Sequence, residues 1–426
     1  MSKFGLVKYS NSCIESNGKW PTEVAVGYSL KKIKFLAKIK NGEDHKAVLT
    51  ETGYSVYGSG GKFAYASKFL YQGESILLGR KGTIDKPLYV NEKFWTVDTM
   101  FYSIPKPAVN AKFLYYASTT IPFEFYSTST TIPSMTQFDL NNHKLAWPDA
   151  YEEQTLIVDF LDTKTSQIDE VIALKQKQID LLKERKQIII QQAVTRGLNP
   201  DVLRKNSGFE WLGEIPEHWG VESFKNVLVE RNEKNYPIKS RERLSLSIDK
   251  GITLYSEKTT NLDRFKDDFS QYKLSYEGDL VFNSMNMIVG AVGVSEYFGC
   301  VSPVYYTYYS RLGNSKVTKF YEHFFKSKTV QSQLYRLGKG IMAIDRGEGK
   351  FNTVRLKVSR EDLRSMKVPF PKISEIIEIV DFIDLVNVKT NELIELHNQQ
   401  IKNLKEYKTT LINSAVTGKI KVTEQA

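Results

Sequence analysis

The chain has 426 residues, too many for one ordinary hydrophobic core, so two or three domains are expected. It carries 59 Lys and Arg against 49 Asp and Glu, a net charge of +10, and its sequence lacks the run of roughly 18 apolar residues that spans a bilayer. The first 20 residues are polar and do not resemble a signal peptide, and two cysteines, Cys13 and Cys300, cannot make a disulfide framework or a cysteine metal site. These features argue against membrane and disulfide-rich classes, and we expect a cytoplasmic protein.

The positive charge is concentrated in two blocks. Residues 1–150 carry 18 Lys and Arg against 12 Asp and Glu, and residues 198–370 carry 27 against 21. Residues 151–197 and 371–426 each carry 7 against 8, so the four balances are +6, −1, +6 and −1. Two basic blocks suit a polyanion such as nucleic acid, although a basic surface without a specific partner remains the alternative.

The first block is predicted to contain strands at 75–79, 87–91 and 95–103, followed by a helix at 111–116. Three loops in this block combine glycine, cationic and hydroxyl side chains, which suits contacts with DNA phosphates and base edges. The candidate DNA-binding residues in these loops are Tyr57, Ser59, Lys62, Arg80, Lys81, Thr83, Thr130 and Thr131.

Residues 151–197 align without a gap to residues 373–419, with 19 identities in 47 positions. Both copies carry apolar residues at heptad spacing, which predicts two helices of about 40 residues, each about 60 Å long. Gly197 and Gly418 are suitable stop signals. The residues predicted to pair the helices are Val158, Leu161, Ile172, Ile179, Leu182 and Ile189 in the first copy, and Val380, Ile383, Ile394, Ile401, Leu404 and Leu411 in the second.

Two such helices in one chain most simply pair with each other in antiparallel fashion, which would hold the basic blocks apart. A dimerising coiled coil between two chains is the alternative.

The second block is predicted to contain strands at 280–283 and 303–309 and a helix at 318–337. Its candidate DNA-binding residues are Ser284, Met285, Asn286, Arg346 and Lys350. Any one of these loops alone would be interpreted as an ordinary exposed turn. Their recurrence in matching places in both blocks favours a binding surface.

This order of features resembles the specificity subunit of type I restriction-modification systems. The resemblance rests on the run Gly213-Glu214-Ile215-Pro216-Glu217-His218-Trp219, on the loops at 57–61 and 79–82, and on the two repeated helices, and it covers essentially the whole chain. The first block departs from the pattern because Trp20-Pro21 stands where the longer run is expected.

The resemblance implies an α+β fold with two mixed α/β target-recognition domains separated by two long helices in an antiparallel intramolecular coiled coil. The implied segments are residues 1–150 and 198–370 for the recognition domains, and 151–197 and 371–426 for the helical spacers. It also implies double-stranded DNA as ligand, docking of methyltransferase subunits, two in number, on the helices, and a possible restriction and translocase subunit. No cofactor is expected in this chain, because S-adenosylmethionine would bind the methyltransferase subunits.

Two catalytic interpretations fit the sequence poorly. Pro148-Asp149 with Glu184 and Lys186 matches a loose nuclease pattern, but a straight helix would separate the carboxylates by tens of ångströms. Residues 53–58 have the glycine spacing of a phosphate-binding loop but lack the following lysine. We therefore expect a non-catalytic, sequence-specific DNA reader. The alternative is a coiled-coil scaffold whose basic domains bind nucleic acid or protein without sequence specificity.

Overall fold

The computed structural model describes residues 4–8, 14–15, 23–25, 27–126, 132–258, 268–341 and 355–424. Its contacts divide the chain into two compact units, Met1–Gln176 with Asn398–Ala426, and Lys177–His397. The division falls within both long helices, so each unit holds one globular block and a segment of each helix. Among the described residues, no helix is long and apolar enough to cross a bilayer.

The two long helices, Tyr151–Arg196 and Ile373–Val416, contain 46 and 44 residues. In the first unit, Asp169 accepts a hydrogen bond of 2.6 Å from Lys408, whereas Glu153, earlier in its helix, interacts with the later Lys421. In the second unit, Lys186 donates to Asn391 at 3.3 Å, and Gly197 lies beside Glu375. Residues that come later in one helix therefore meet residues that come earlier in the other, and the predicted antiparallel pairing within one chain is confirmed.

The residues predicted to pair the two helices, called the seam below, contact two kinds of neighbour. Val158 and Leu161 lie in the hydrophobic core of the first globular block, and Val380 and Ile383 lie in that of the second. A heptad pattern cannot separate these cases, because a helix face is apolar whether a domain or another helix covers it. Of the other predicted seam residues, Ile179, Ile401 and Leu411 are buried, and Ile172, Leu182, Ile189, Ile394 and Leu404 are half-buried.

In the first block, the opening strand Tyr28–Lys32 pairs antiparallel with the closing strand Lys144–Pro148. The helical turn Ile33–Leu36 leads into a seven-stranded sheet, and the helices Ala111–Ser118 and Gln137–Asn142 follow the sheet in the chain. The strands in spatial order are Ala37–Asn41, Met100–Pro105, Tyr71–Gly79, Leu88–Thr96, Tyr54–Gly58, Gly61–Ala66 and Leu49–Thr50.

The second block has the same frame, which is an opening strand paired with a closing strand and a helical turn before the sheet. The opening strand Gly220–Ser223 pairs with the closing strand Lys367–Phe370, and the helical turn Phe224–Val227 leads into a four-stranded antiparallel sheet. That sheet has the order Leu228–Arg231, Tyr305–Ser310, Leu280–Asn283 and Val292–Val294. Three further strand pairs are Leu244–Ser247 with Gly251–Leu254, Lys273–Ser275 with Gly299–Val301, and Lys339–Ile341 with Arg355–Lys357. The helices are Ser315–Lys326, Lys328–Leu337 and Arg360–Ser365.

A short strand pair also follows each long helix. After the first helix, the strand Arg204–Asn206 pairs with the strand Glu214–Pro216. The second of these strands lies within the Gly213–Trp219 motif of the sequence. After the second helix, Ile420–Glu424 pairs instead with the N-terminal strand Phe4–Lys8. A further short pair joins Ile14–Glu15 to Glu23–Val24. The motif is thus structural, with Ile215 and Trp219 fully buried.

Two predicted elements are interrupted in the structure. Residues 95–103 form the ends of two strands, because the main chain turns at 97–99, where Val97 donates to the carbonyl of Tyr57. The predicted helix at 318–337 is two helices, because Ser327 has an extended backbone with φ −70° and ψ 145°. Neither break is marked by glycine or proline, since the residues are Val-Asp-Thr at 97–99 and Lys-Ser-Lys at 326–328.

Candidate nucleic-acid interface

The loop Arg80–Thr83 follows the central strand Tyr71–Gly79 of the first block. The backbone N–H groups of Arg80 and Lys81 both donate to the carbonyl of Thr99, at 2.8 and 3.2 Å. Gly79 is required here, because a Cβ would lie 2.3 Å from the carbonyl oxygen of Thr83. Arg80 is half-buried and Lys81 is exposed. The loop is therefore held firmly while it presents two cations near the surface.

The segment 97–99 connects this loop to the predicted turn at 57–62. Val97 N–H donates to the Tyr57 carbonyl at 3.1 Å, and Arg80 Nη1 lies 3.5 Å from the carbonyl oxygen of Asp98. In the turn, Ser59 and Gly60 link two antiparallel strands, and the exposed Lys62 lies 4.3 Å from the centre of the Tyr65 ring. The structure therefore brings two of the three predicted loops together.

Tyr57 and Thr83 are less available than the lysines and the arginine. The Tyr57 hydroxyl donates to Glu92 Oε1 at 2.6 Å, and burial together with this carboxylate raises the pKa of Tyr57 to about 12. Thr83 is half-buried against Gly79. Among the described residues of the candidate set, Lys62, Arg80 and Lys81 are thus the cations that a DNA backbone could reach.

A cleft of about 280 Å³ beside Arg80 contains amide side chains that were not predicted. Asn41 ends the edge strand and Gln137 begins a short helix, and both line the cleft with Arg80 and Lys81. Asn and Gln side chains can each make two hydrogen bonds to adenine, and Gln137 Nε2 already donates one hydrogen bond to the carbonyl of Ile39 at 2.8 Å. No local motif marks them, because Asn41 reaches this place only through its strand pairing with Phe101.

The loop Ser284–Asn286 occupies the equivalent place in the second block. It follows Leu280–Asn283, which pairs with Tyr305–Ser310 as Tyr71–Gly79 pairs with Met100–Pro105. Ser284 is fully buried, so its side chain cannot contact DNA in this structure and its assignment as a DNA-binding residue is corrected. Met285 is half-buried and Asn286 is exposed.

Both loops are supported in the same way. Met135 N–H donates to the Arg80 carbonyl at 3.0 Å, and Val358 N–H donates to the Ser284 carbonyl at 3.1 Å. The next residue caps a short helix in each case, Thr136 in the first block and Ser359 in the second. The remaining predicted residues, Thr130, Thr131, Arg346 and Lys350, lie outside the described residues.

Each block is also joined to a long helix by a lysine at the same place. In the first block, Lys112 stands two residues after the N-cap Asn110 and forms an ion pair with Asp162. In the second, Lys316 stands two residues after the N-cap Asn314 and pairs with Asp384 at 3.4 Å and with Asp381 at 2.5 Å. Asp162 and Asp384 are equivalent positions of the repeat. The two lysine–aspartate joints therefore connect each block to its long helix at equivalent positions.

The aspartate of the nuclease-like pattern serves a structural contact. Asp149 accepts hydrogen bonds from Ser29 at 2.9 Å and Lys31 at 3.1 Å, and these bonds hold the pKa of its carboxyl below the usual range. The contact joins the opening strand of the first block to the residue after its closing strand. In the described part of the chain, no group of three His, Cys, Asp or Glu side chains could hold a metal ion.

The chain is similar to known proteins in part of its sequence and in its fold. Residues 26–184 match the family model of the type I restriction modification DNA specificity domain. No curated protein sequence matches the chain. Among solved structures, a chain from a study of complex assembly and conformational transition of the type I R-M system aligns with a TM-score of 0.65 at 14% identity, over 94% of this chain and 100% of that chain. The HsdS subunit of Thermoanaerobacter tengcongensis aligns with a TM-score of 0.52 at 14% identity, over 94% and 99%.

The residues that match the specificity-domain model, 26–184, include the loops at 57–62 and 79–83 and the joint between Lys112 and Asp162. At 14% identity, the structural likeness shows that the fold extends over both blocks and both helices. The chain is therefore similar to the specificity proteins of type I restriction-modification systems, by sequence over residues 26–184 and by fold over 94% of its length.

Proposed function

We propose that this chain reads a bipartite, asymmetric DNA sequence, with one half-site for each globular block. The observation that carries this proposal is a pair of equivalent loops with different side chains. Arg80-Lys81-Gly82 and Ser284-Met285-Asn286 follow equivalent strands and receive equivalent backbone hydrogen bonds, yet they share no residue type. The shared hydrogen bond to the first carbonyl of each loop suits a common approach to DNA, whereas different side chains suit different base sequences.

We further propose that the long helices dock two methyltransferase subunits. Val171 and Leu174 in the first unit are exposed, and so are their repeat equivalents Leu393 and Leu396 in the second unit. Apolar pairs that recur on two helices at equivalent positions suit two copies of one partner. The chain itself would be non-catalytic, with S-adenosylmethionine bound by the methyltransferases, and a restriction and translocase subunit could join them. A DNA reader of this kind would act in the cytoplasm.

The docking proposal is tested by placing a charge in each apolar pair. Leu174→Asp and Leu396→Asp should each remove one methyltransferase from the complex, and the double variant should remove both. Native mass spectrometry would count the subunits. Leu203→Asp is a matched control, because Leu203 is 74% exposed and lies outside the long helices. Two methyltransferases bound to the double variant would contradict docking at these pairs.

The reading proposal is tested on the genome. Methylated positions would be sequenced in cells with and without this chain, and a single split motif should disappear with the chain. A scaffold without sequence specificity would instead leave the methylated motifs unchanged. Salt-dependent DNA binding would not separate the two, since any basic domain shows it.

A further inference from the structure

The second block contains a cavity of about 410 Å³ whose lining combines aromatic rings with hydrogen-bonding side chains. Tyr255, Tyr272 and Tyr305 contribute rings, and Arg243, Gln271 and Lys258 contribute polar groups. Pockets of this size commonly hold small ligands, and a few polar groups among apolar walls fix the orientation of the ligand.

The cavity lies next to the reading loop of its block. Tyr305 pairs with Asn283 across two strands, and Asn283 Nδ2 lies 3.5 Å from the Tyr305 hydroxyl, which it can reach as a donor. The side-chain oxygen of Asn283 also accepts a hydrogen bond from Met285 N–H at 3.1 Å. One asparagine therefore connects a wall of the cavity to the loop that we propose reads DNA.

The chemistry of the lining suits a nucleotide. A base has two flat faces that stack on tyrosine and a polar edge that arginine and glutamine can bind. The Arg243 guanidinium lies 4.6 Å from the centre of the Phe269 ring, which limits the directions it can take. Lys258 is exposed beside the cavity, with its Nζ 3.3 Å from Ser245 Oγ, and could meet a phosphate.

We propose that this cavity receives one nucleobase that has turned out of the double helix at the second half-site. This inference rests on the proposed DNA-reading function. A base paired inside a duplex cannot enter a cavity, so it must leave the stack first. Among the residues that the structure describes, the cleft beside Arg80 in the first block is lined by one aromatic residue, the buried Phe101. We therefore assign base extrusion to the second half-site alone.

The experiment compares binding to duplexes with and without a mismatch, because a mismatched base costs less free energy to extrude. The full-length chain would be bound to duplexes in which each position of both half-sites is mismatched in turn, by changing only the opposite strand. Extrusion requires the base pair to open, so a mismatch at the extruded position should tighten binding, on the order of tenfold. This should happen at one position of the second half-site and at none of the first.

Variants of the cavity make the result specific. Tyr255→Ala and Arg243→Ala should abolish the tightening, whereas Tyr255→Phe, which keeps the ring, and Tyr335→Ala, a 64% exposed tyrosine outside the cavity, should preserve it. If the motif is bound but no mismatch tightens binding, or if Tyr255→Ala leaves the tightening intact, this inference is wrong and the reading function stands. If no duplex is preferred over any other, both are wrong.

Discussion

At the scale of single residues, the two reading loops differ mainly in charge. Arg80 and Lys81 place two cations at the first loop, whereas Met285 and Asn286 place none at the second. The sequence predicted that both loops matter, but it could not predict that Ser284 is buried. The neighbour of Ser284 is Val358, which donates to the Ser284 carbonyl from a distant segment of the chain.

Arg80→Ala should change recognition of one half-site only. The substitution removes a cation from a loop that belongs entirely to the first unit, so the second half-site should be read as before. Loss of one arginine contact to a base costs about 1–3 kcal/mol, and this should appear as relaxed sequence preference at one or two positions. Sequencing of methylated sites measures the change. Lys86→Ala, an exposed cation just beyond the loop, is the control, and relaxed preference at both half-sites would contradict independent reading.

His143 should make the first unit sensitive to acid. It is buried, and burial lowers the pKa of its imidazole to about 4 from the usual 6.5. The unfolded chain therefore binds a proton that the folded chain does not bind between about pH 6.5 and pH 4, so the free energy of unfolding falls as the pH is lowered through this range. The loss is at most about 3 kcal/mol.

A variant that cannot take up this proton tests the effect. His143→Gln should be less stable than the natural chain at pH 8, because it alters a hydrogen bond of 2.6 Å between Tyr126 and His143. Its stability should nevertheless depend less on pH between 6.5 and 4. Urea unfolding at pH 8 and pH 5 measures both quantities, and equal pH dependence of the two proteins would contradict the assignment.

At the scale of elements, the repeat of the two long helices can be predicted from the sequence, because both copies place apolar residues at the same heptad positions. The frame shared by the two globular blocks was less visible. It consists of strand pairings and helix caps, such as Asn110 with Asn314 and Thr136 with Ser359, which many different flanking sequences can satisfy. The sequence comparison therefore found the helices closely alike and the blocks only loosely alike.

The joint between Lys112 and Asp162 should position the first block on its helix. Asp162 also accepts a hydrogen bond of 2.7 Å from the Tyr116 hydroxyl, so Asp162→Ala removes an acceptor from two donors. Because these side chains are partly exposed, we expect a loss of about 1 kcal/mol in unfolding free energy. Glu170→Gln, an exposed change on the same helix, should cost less.

A double-mutant cycle separates this joint from simple loss of contacts. Lys112→Asp with Asp162→Lys should recover part of the stability that either single change removes. Methylation at the first half-site should recover with it, since the loop at Arg80 depends on the orientation of its block. Recovery of stability without recovery of methylation would show that the joint stabilises the block but does not position it.

At the scale of the whole molecule, a duplicated protein is expected to recognise an asymmetric site. The parts that the two copies share most closely are the long helices, the lysine–aspartate joints and the backbone support of the loops. The parts that differ are the loop side chains, the strand pairs added to the second block and the tyrosine-lined cavity. Two unlike half-sites require two different DNA-contacting surfaces, and these can be carried by the same supporting structure.

The length of the helices should set the number of unread base pairs between the half-sites. Seven residues inserted after Lys177 and seven more after the repeat equivalent Gln399 keep each apolar seam in phase and lengthen each helix by about 10 Å. At 3.4 Å per base pair, the unread gap should grow by about three base pairs while both half-sites stay the same. Three base pairs also turn the duplex by about a third of a turn, so methylation of the longer site should be slower. Sequencing of methylated sites gives the gap directly, and a gap of unchanged length would show that the helices do not act as the ruler.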